Sequence, residues 1–141
     1  MKVFVDTNVV LDVLLERQPF YNDSFFIFQL VNMKRIRGYL SAASITDIFF
    51  IANRELKNRE RVYNMVEGLT ALFTIAPVTE TTVTDALTLR WKDFEDAVQF
   101  LTARENGAAY IITRNTQDFS SGSIEAPTPE QFIRAIADIE N

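Results

Sequence analysis

Four carboxylates stand where a chain of alternating strands and helices would gather its chemistry. The sequence opens with Lys2-Val3-Phe4-Val5, an apolar run that ends on Asp6 and continues with Thr7-Asn8. In an open parallel sheet, ligands bind beyond the carboxyl ends of the strands, so an acid in that place is a functional candidate. Asp47 follows a second run, Gly38-Tyr39-Leu40-Ser41, in what reads as the first turn of a helix. Asp96 falls in the first turn of a later helix, and Asp118, with Asn115, follows Ala109-Tyr110-Ile111-Ile112-Thr113. The chain has no Cys and no His. An active site must therefore use carboxylates, amides, hydroxyls and basic groups, and such oxygen donors suit Mg²⁺ or Mn²⁺. Carboxylates packed without a cation would raise one another's pKa. A divalent ion neutralises them, generates hydroxide from water and clamps both oxygens of a phosphoryl displacement. Phosphodiester hydrolysis needs little else.

Taken singly, three of the four have an architectural explanation. Ser44-Ile45-Thr46-Asp47 reads as a capping box with Asp in place of Glu. Asp93-Phe94-Glu95-Asp96 reads as an N-cap followed by acids that the helix dipole favours. Asp118 fits a turn before Phe119. Asp6 is different, because no helix pattern asks for an acid at the end of an apolar strand.

The elements that must position these residues alternate. Strands are expected at Val3–Val5, Gly38–Ser41, Phe73–Pro77 and Ala109–Thr113. Helices are expected at Asn8–Glu16, Tyr21–Met33, Ile45–Lys57, Arg59–Ala71, Thr81–Arg90 and Glu95–Asn106, the last closed by Gly107. Thr128-Pro129-Glu130-Gln131 supplies cap, Pro and Gln for a final helix whose stripe is Phe132, Ile136 and Ile139. The segment Arg114–Pro127 is the one long irregular stretch. This pattern predicts an α/β sandwich around a mostly parallel sheet, with residues 1–141 as a single domain.

Composition narrows the field further. A chain of 141 residues, 48% hydrophobic, buries roughly two-thirds of its unfolded surface without staples. No apolar run approaches the roughly 20 residues of a membrane span, and Asp6 and Asp12 interrupt any secretory core, so a cytoplasmic location and no membrane partner are expected. A net charge of −5 argues against coating nucleic acid through bulk positive charge. It does not exclude a nuclease, whose bound cations set the local field. The basic residues form two clusters, Lys34, Arg35 and Arg37, then Arg54, Lys57, Arg59 and Arg61.

Four segments occur in order: Val5-Asp6-Thr7-Asn8, Ser44-Ile45-Thr46-Asp47, Glu95-Asp96-Ala97 and Thr113-Arg114-Asn115-Thr116-Gln117-Asp118-Phe119. Through them the chain resembles the PIN-domain ribonucleases over nearly its whole length, and in size it is similar to the VapC-type toxins of bacterial toxin–antitoxin pairs. The resemblance implies a PIN-like three-layer sandwich, α/β in class, with a central, mainly parallel sheet flanked by helices. It implies a metal-dependent endoribonuclease, using Mg²⁺ or Mn²⁺ and leaving 5′-phosphate and 3′-hydroxyl ends. Carried over by position, Asp6 is the first acid, Asp47 the second and Asp96 the third. Asn115 stands in the fourth slot, where acids and amides both occur, with Asp118 three residues on. Asp47 is shorter by a methylene than the more frequent Glu. Thr7 and Asn8 would be polar companions of the first acid, Thr113 a supporting hydroxyl, and Arg114 a group that steers or neutralises phosphate.

The apolar runs Phe25-Phe26-Ile27-Phe28 and Phe49-Phe50-Ile51 cover every side of their helices, which predicts an interface. A homodimer and an antitoxin protein are the occupants the resemblance implies, alongside the RNA substrate. Two other enzymatic or signalling readings fit less well. A haloacid-dehalogenase-type phosphatase needs an acid where Asn8 stands, and a receiver domain needs paired acids and a late Lys. A catalytically inactive PIN-like binding module or scaffold is the alternative from a different class.

Overall fold

The computed structural model describes residues 1–140. Four short strands form one sheet: β1 (Lys2–Val5), β2 (Arg37–Ser41), β3 (Thr74–Ala76) and β4 (Tyr110–Ile112). All three pairings are parallel, in the order β3-β2-β1-β4. The helices are α1 (Thr7–Leu14), α2 (Tyr21–Asn32), α3 (Ala42–Leu56), α4 (Arg59–Leu72), α5 (Glu80–Leu89), α6 (Phe94–Glu105) and α7 (Pro129–Glu140). A 3-10 helix, Thr116–Phe119, follows β4.

Side-chain alternation along the strands builds the layers. Val3 and Val5 point to one face, where Val9 and Val10 of α1, Ile27 and Leu30 of α2 and Ile48 of α3 meet them. Phe4 and Ile111 point to the other, against Ala97, Phe100 and Leu101 of α6. Both faces are covered, as a parallel sheet requires. Each of the larger of these side chains, buried from water, contributes about 1.5–3 kcal/mol.

Strand order fixes where a ligand can approach. The chain steps from β1 outward to β2 and β3, then returns to the opposite side of β1 for β4. That reversal opens a crevice at the carboxyl ends of β1 and β4, the usual ligand position in open α/β sheets. Asp6 lies at its mouth: its N–H donates to the Ile112 carbonyl at 2.9 Å.

Several expected boundaries move, and one matters to chemistry. Helix α3 begins at Ala42 rather than Ile45, because the Ser41 hydroxyl accepts from the Ala43 N–H at 3.1 Å and caps it. Ser44 is thus inside the helix, no capping box forms there, and Asp47 sits in the second turn instead of the first. The cap explanation for Asp47 disappears. At the final helix the expected box does form: Thr128 N–H donates to Gln131 Oε1 at 3.0 Å, and Gln131 N–H to Thr128 Oγ1 at 3.1 Å. Its stripe is shorter than expected, since Phe132 is buried but Ile139 is 70% exposed. The segment after β4 is less irregular than its composition suggests. It returns alongside the strand, where Ile111 N–H donates to Glu125 O and Thr113 N–H to Pro127 O, each at 3.0 Å.

Candidate active site

Asp6 occupies the N-cap position of α1, yet its carboxylate caps nothing. The side chain is 4% exposed, and Oδ2 accepts from the Thr113 hydroxyl at 2.8 Å. Thr113 is held in turn, its Oγ1 accepting the Asn115 N–H at 3.0 Å. The amide of Gln99, on α6, also hydrogen-bonds the carboxylate. Burial raises the Asp6 pKa above its ordinary value; bonds from Thr113, Gln99 and the Thr7 N–H oppose this, and the charge of Asp118 adds to it. Burial prevails.

Asp96 enters from the first turn of α6, whose cap is Asp93: Asp93 Oδ1 accepts the Asp96 N–H at 3.0 Å. The Asp96 carboxyl is pushed up to about 7, first by burial, then by the charges of Asp93, Asp6, Asp118 and Glu95. Glu95 is raised as well, by burial and then by Asp47, Asp93 and Asp6. Six acids from four separate stretches therefore share one field. Asp118 lies on the 3-10 helix, exposed, its N–H donating to the Asn115 carbonyl at 3.0 Å. Asp47 is exposed on α3 and faces Glu95 across a cavity of about 280 Å³ that Ser41, Ser44 and Gln99 also line. A larger cleft of about 640 Å³ is lined by Asp93, Asp96, Gln117 and Asp118, with Arg90 and Lys92 on it too.

Whether these residues suit a divalent cation can be tested on their donors. Among the described residues no group of three or more carboxylates stands ready as a metal cage. Mg²⁺ does not need one, since it uses one or two carboxylates and keeps several waters. The acids repel one another in the absence of positive charge, and two buried oxygens beside them, Thr7 Oγ1 and Gln99 Oε1, have no hydrogen-bond partner. An oxygen-only, mutually destabilised donor set fits a hard cation.

Arg114 goes elsewhere. Its Nε lies 2.8 Å from Oδ2 of Asp12, and its guanidinium stacks on Phe20 at 4.1 Å. Asp12 is completely buried, with Arg17 3.8 Å away on its other oxygen. Burial raises the Asp12 pKa in spite of both arginines. This pair straps α1 to the turn that carries Thr113 and Asn115. Asn8 is half-buried and Thr7 buried on the first turn of α1. Neither basic cluster of the sequence lines the acidic clefts: Lys34, Arg35 and Arg37 line a cavity at the strand-start edge, and Arg54 to Arg61 span the α3–α4 turn.

Sequence reasoning missed Glu95, Gln99, Asp12, Arg90 and Lys92. Asp12 carried a readable signal, an acid inside the apolar run Val9-Val10-Leu11-Asp12-Val13-Leu14, which requires a buried partner. Glu95 and Gln99 are one helical turn apart, a spacing that puts both on the face of α6 toward Asp47.

The sequence pattern of the PIN domain matches residues 2–117, and the chain belongs to the PIN-domain family. It is 26% identical over 136 residues to Ribonuclease VapC1 of Aquifex aeolicus (strain VF5), spanning 93% of this chain and 92% of that protein. Its fold is similar to Mycobacterium tuberculosis VapC20, described as a sarcin-ricin loop cleaving toxin (TM-score 0.69, 19% identity, 87% of this chain and 97% of that one). It is also similar to a chain of a toxin–antitoxin complex from Klebsiella pneumoniae (TM-score 0.66, 21% identity, 90% and 97%). These structural neighbours share a central parallel sheet flanked by helices with this chain.

Proposed function

We propose that this chain is a Mg²⁺- or Mn²⁺-dependent endoribonuclease acting as a VapC-like toxin. The observation that carries the reading is the Asp6 carboxylate, buried at the switch point, capping no helix and held toward the field of Asp96 and Asp118. Kinship with a ribonuclease along most of the chain supports the reaction class. Asp6 and Asp96 would hold the ion, with Asp47, Asn115 and Asp118 completing the site. A bound ion supplies activation of water and neutralisation of the phosphate. Thr113 and Gln99 fix the Asp6 oxygens in place, so that little reorganisation remains for binding. Asp96, whose carboxyl titrates near 7, is partly protonated at neutral pH, and positive charge beside it favours release of that proton.

Asp6→Asn and Asp96→Asn should each abolish cleavage of single-stranded RNA in Mn²⁺ while circular dichroism stays that of the parent. Cleavage by Asp6→Asn at the parent rate would refute the assignment.

The same reading assigns partners. Phe25, Phe26, Phe50 and Tyr63 are exposed on α2, α3 and α4, a surface suited to a homodimer and to an antitoxin. No helix among the described residues is long and apolar enough to cross a membrane, and the cytoplasm is the compartment proposed. Analytical ultracentrifugation tests the dimer; a monomer at every concentration counts against it. A second reading, an inactive binding scaffold, draws on the amide at Asn115 and on the lack of a three-carboxylate cage among the described residues. It predicts that Mn²⁺ leaves the melting temperature unmoved.

A further inference from the structure

The acidic cluster repels the very phosphates a nuclease must hold, and neither of the two basic clusters conspicuous in the sequence lines its cleft. Lys34, Arg35 and Arg37 gather around Met1, at the start of β1. Asp6 is five residues along that strand, or about 17 Å. Arg114 is committed to Asp12. The cations that share the acid-lined cleft are Arg90 and Lys92, on the loop between α5 and α6.

That loop is built to hold them still. Trp91, between the two, is half-buried, its ring 5.0 Å from Phe100 and 6.4 Å from Phe119. Asp93 follows immediately and caps α6. Both cations are exposed, and neither forms an ion pair among the described residues, although Asp93, Asp96 and Asp118 line the same cleft. Arg90 closes α5 with φ of +54°. This is the left-handed position where Gly is the least strained residue. Lys57 closes α3 in the same conformation, so what singles out Arg90 is its place in the cleft beside Asp93, Asp96 and Asp118.

Resting on the ribonuclease reading above, we propose that Arg90 and Lys92 form a phosphate clamp for the RNA strand. They bind backbone phosphates adjacent to the one cleaved, with Trp91 as their anchor. Such contacts read charge and not base identity. The clamp therefore contributes affinity and placement along the strand. It leaves the choice of sequence to other groups.

The test measures binding of a labelled single-stranded RNA to Asp6→Asn protein over a series of KCl concentrations, by fluorescence anisotropy. Arg90→Gly and Lys92→Gln, each added to that background, should raise Kd about fivefold to tenfold at low salt. Each should also reduce the slope of log Kd against log salt by about 0.7. Arg90→Gly should do this with a melting temperature equal to or above the parent's, because Gly relieves the left-handed strain. Weaker binding at undiminished stability separates a phosphate contact from a structural role. Slopes unchanged in both variants overturn the clamp. If they are unchanged while the parent protein cleaves RNA in Mn²⁺, only the clamp fails. A parent that cleaves no RNA in Mn²⁺ removes the ribonuclease reading itself, and the clamp with it.

Discussion

Raising the pH should loosen the metal-free protein, and Asp96 is one of the acids responsible. Its folded carboxyl titrates near 7, against an ordinary value of 3.8. Below 3.8 the group is protonated in the folded and unfolded chains alike, and its contribution is intact. Between 3.8 and about 7 the unfolded chain has released the proton while the folded one retains it, so stability falls as pH rises; beyond 7 the loss is complete. The full span corresponds to about 4 kcal/mol. Solvent reaches this first-turn position, and screening reduces that to about 1.5 kcal/mol. At about 0.3 kcal/mol/K for a chain of this length, the drop is about 5 °C in melting temperature. Calorimetry in EDTA between about pH 5 and pH 8 spans roughly three-fifths of that loss and should show wild type losing about 3 °C more than Asp96→Asn. The variant keeps a residual slope, because Asp6, Asp12 and Glu95 are raised in the same direction. Mn²⁺ should restore the wild type at the alkaline end and have little effect on the variant. Parallel curves for the two proteins in EDTA would show that the acids do not share a field, and the metal argument would lose its footing.

Other perturbations probe the supports. Thr113→Val removes the donor to Asp6 Oδ2 and the acceptor for the Asn115 N–H; it should cost about 1–2 kcal/mol in urea unfolding and lower RNA cleavage, with Thr113→Ser restoring both. Asp12→Ala strands the Arg114 cation, which is only 26% exposed, and should cost about 3 kcal/mol; adding Arg114→Leu should recover part of that loss in the same unfolding assay. Gly38→Ala places a Cβ 2.6 Å from the Phe73 ring and 2.9 Å from Val31. Overpacking there should lower stability by about 1–3 kcal/mol, read from the urea midpoint, without changing which RNA bonds are cut.

The parts of the fold legible in the sequence were those governed by local signals. The strand before Asp6, the box at Thr128 and the glycine stop at Gly107, which has φ of +69°, are each written in a few neighbouring residues. Failures came where a distant partner decides. Helix α3 starts early because Ser41, at the end of β2, is free to cap it. Ile139 belongs to a clean helical stripe but is left exposed near the end of α7. At the site, the acids could be listed from sequence, yet their grouping could not. Glu95 joins Asp47 only because α3 and α6 meet across a cavity. Arg114 adjoins a site residue in the chain, but a buried Asp12 on another helix claims it. Spacing along the polypeptide does not reveal such competition.

The pairing of Asp6 with Thr113 has a consequence for synthesis. The two residues are 107 positions apart, and β1 finds its β4 neighbour only after residue 112 has been made. At translation rates of about 5–20 residues per second, the first strand waits roughly 5–20 s for the second half of the crevice. A nascent chain on the ribosome thus carries its leading acid without the hydroxyl that orients it. Any activity lodged in that crevice begins only after residue 113 has been made, which gives a co-translationally made partner time to be present when it does.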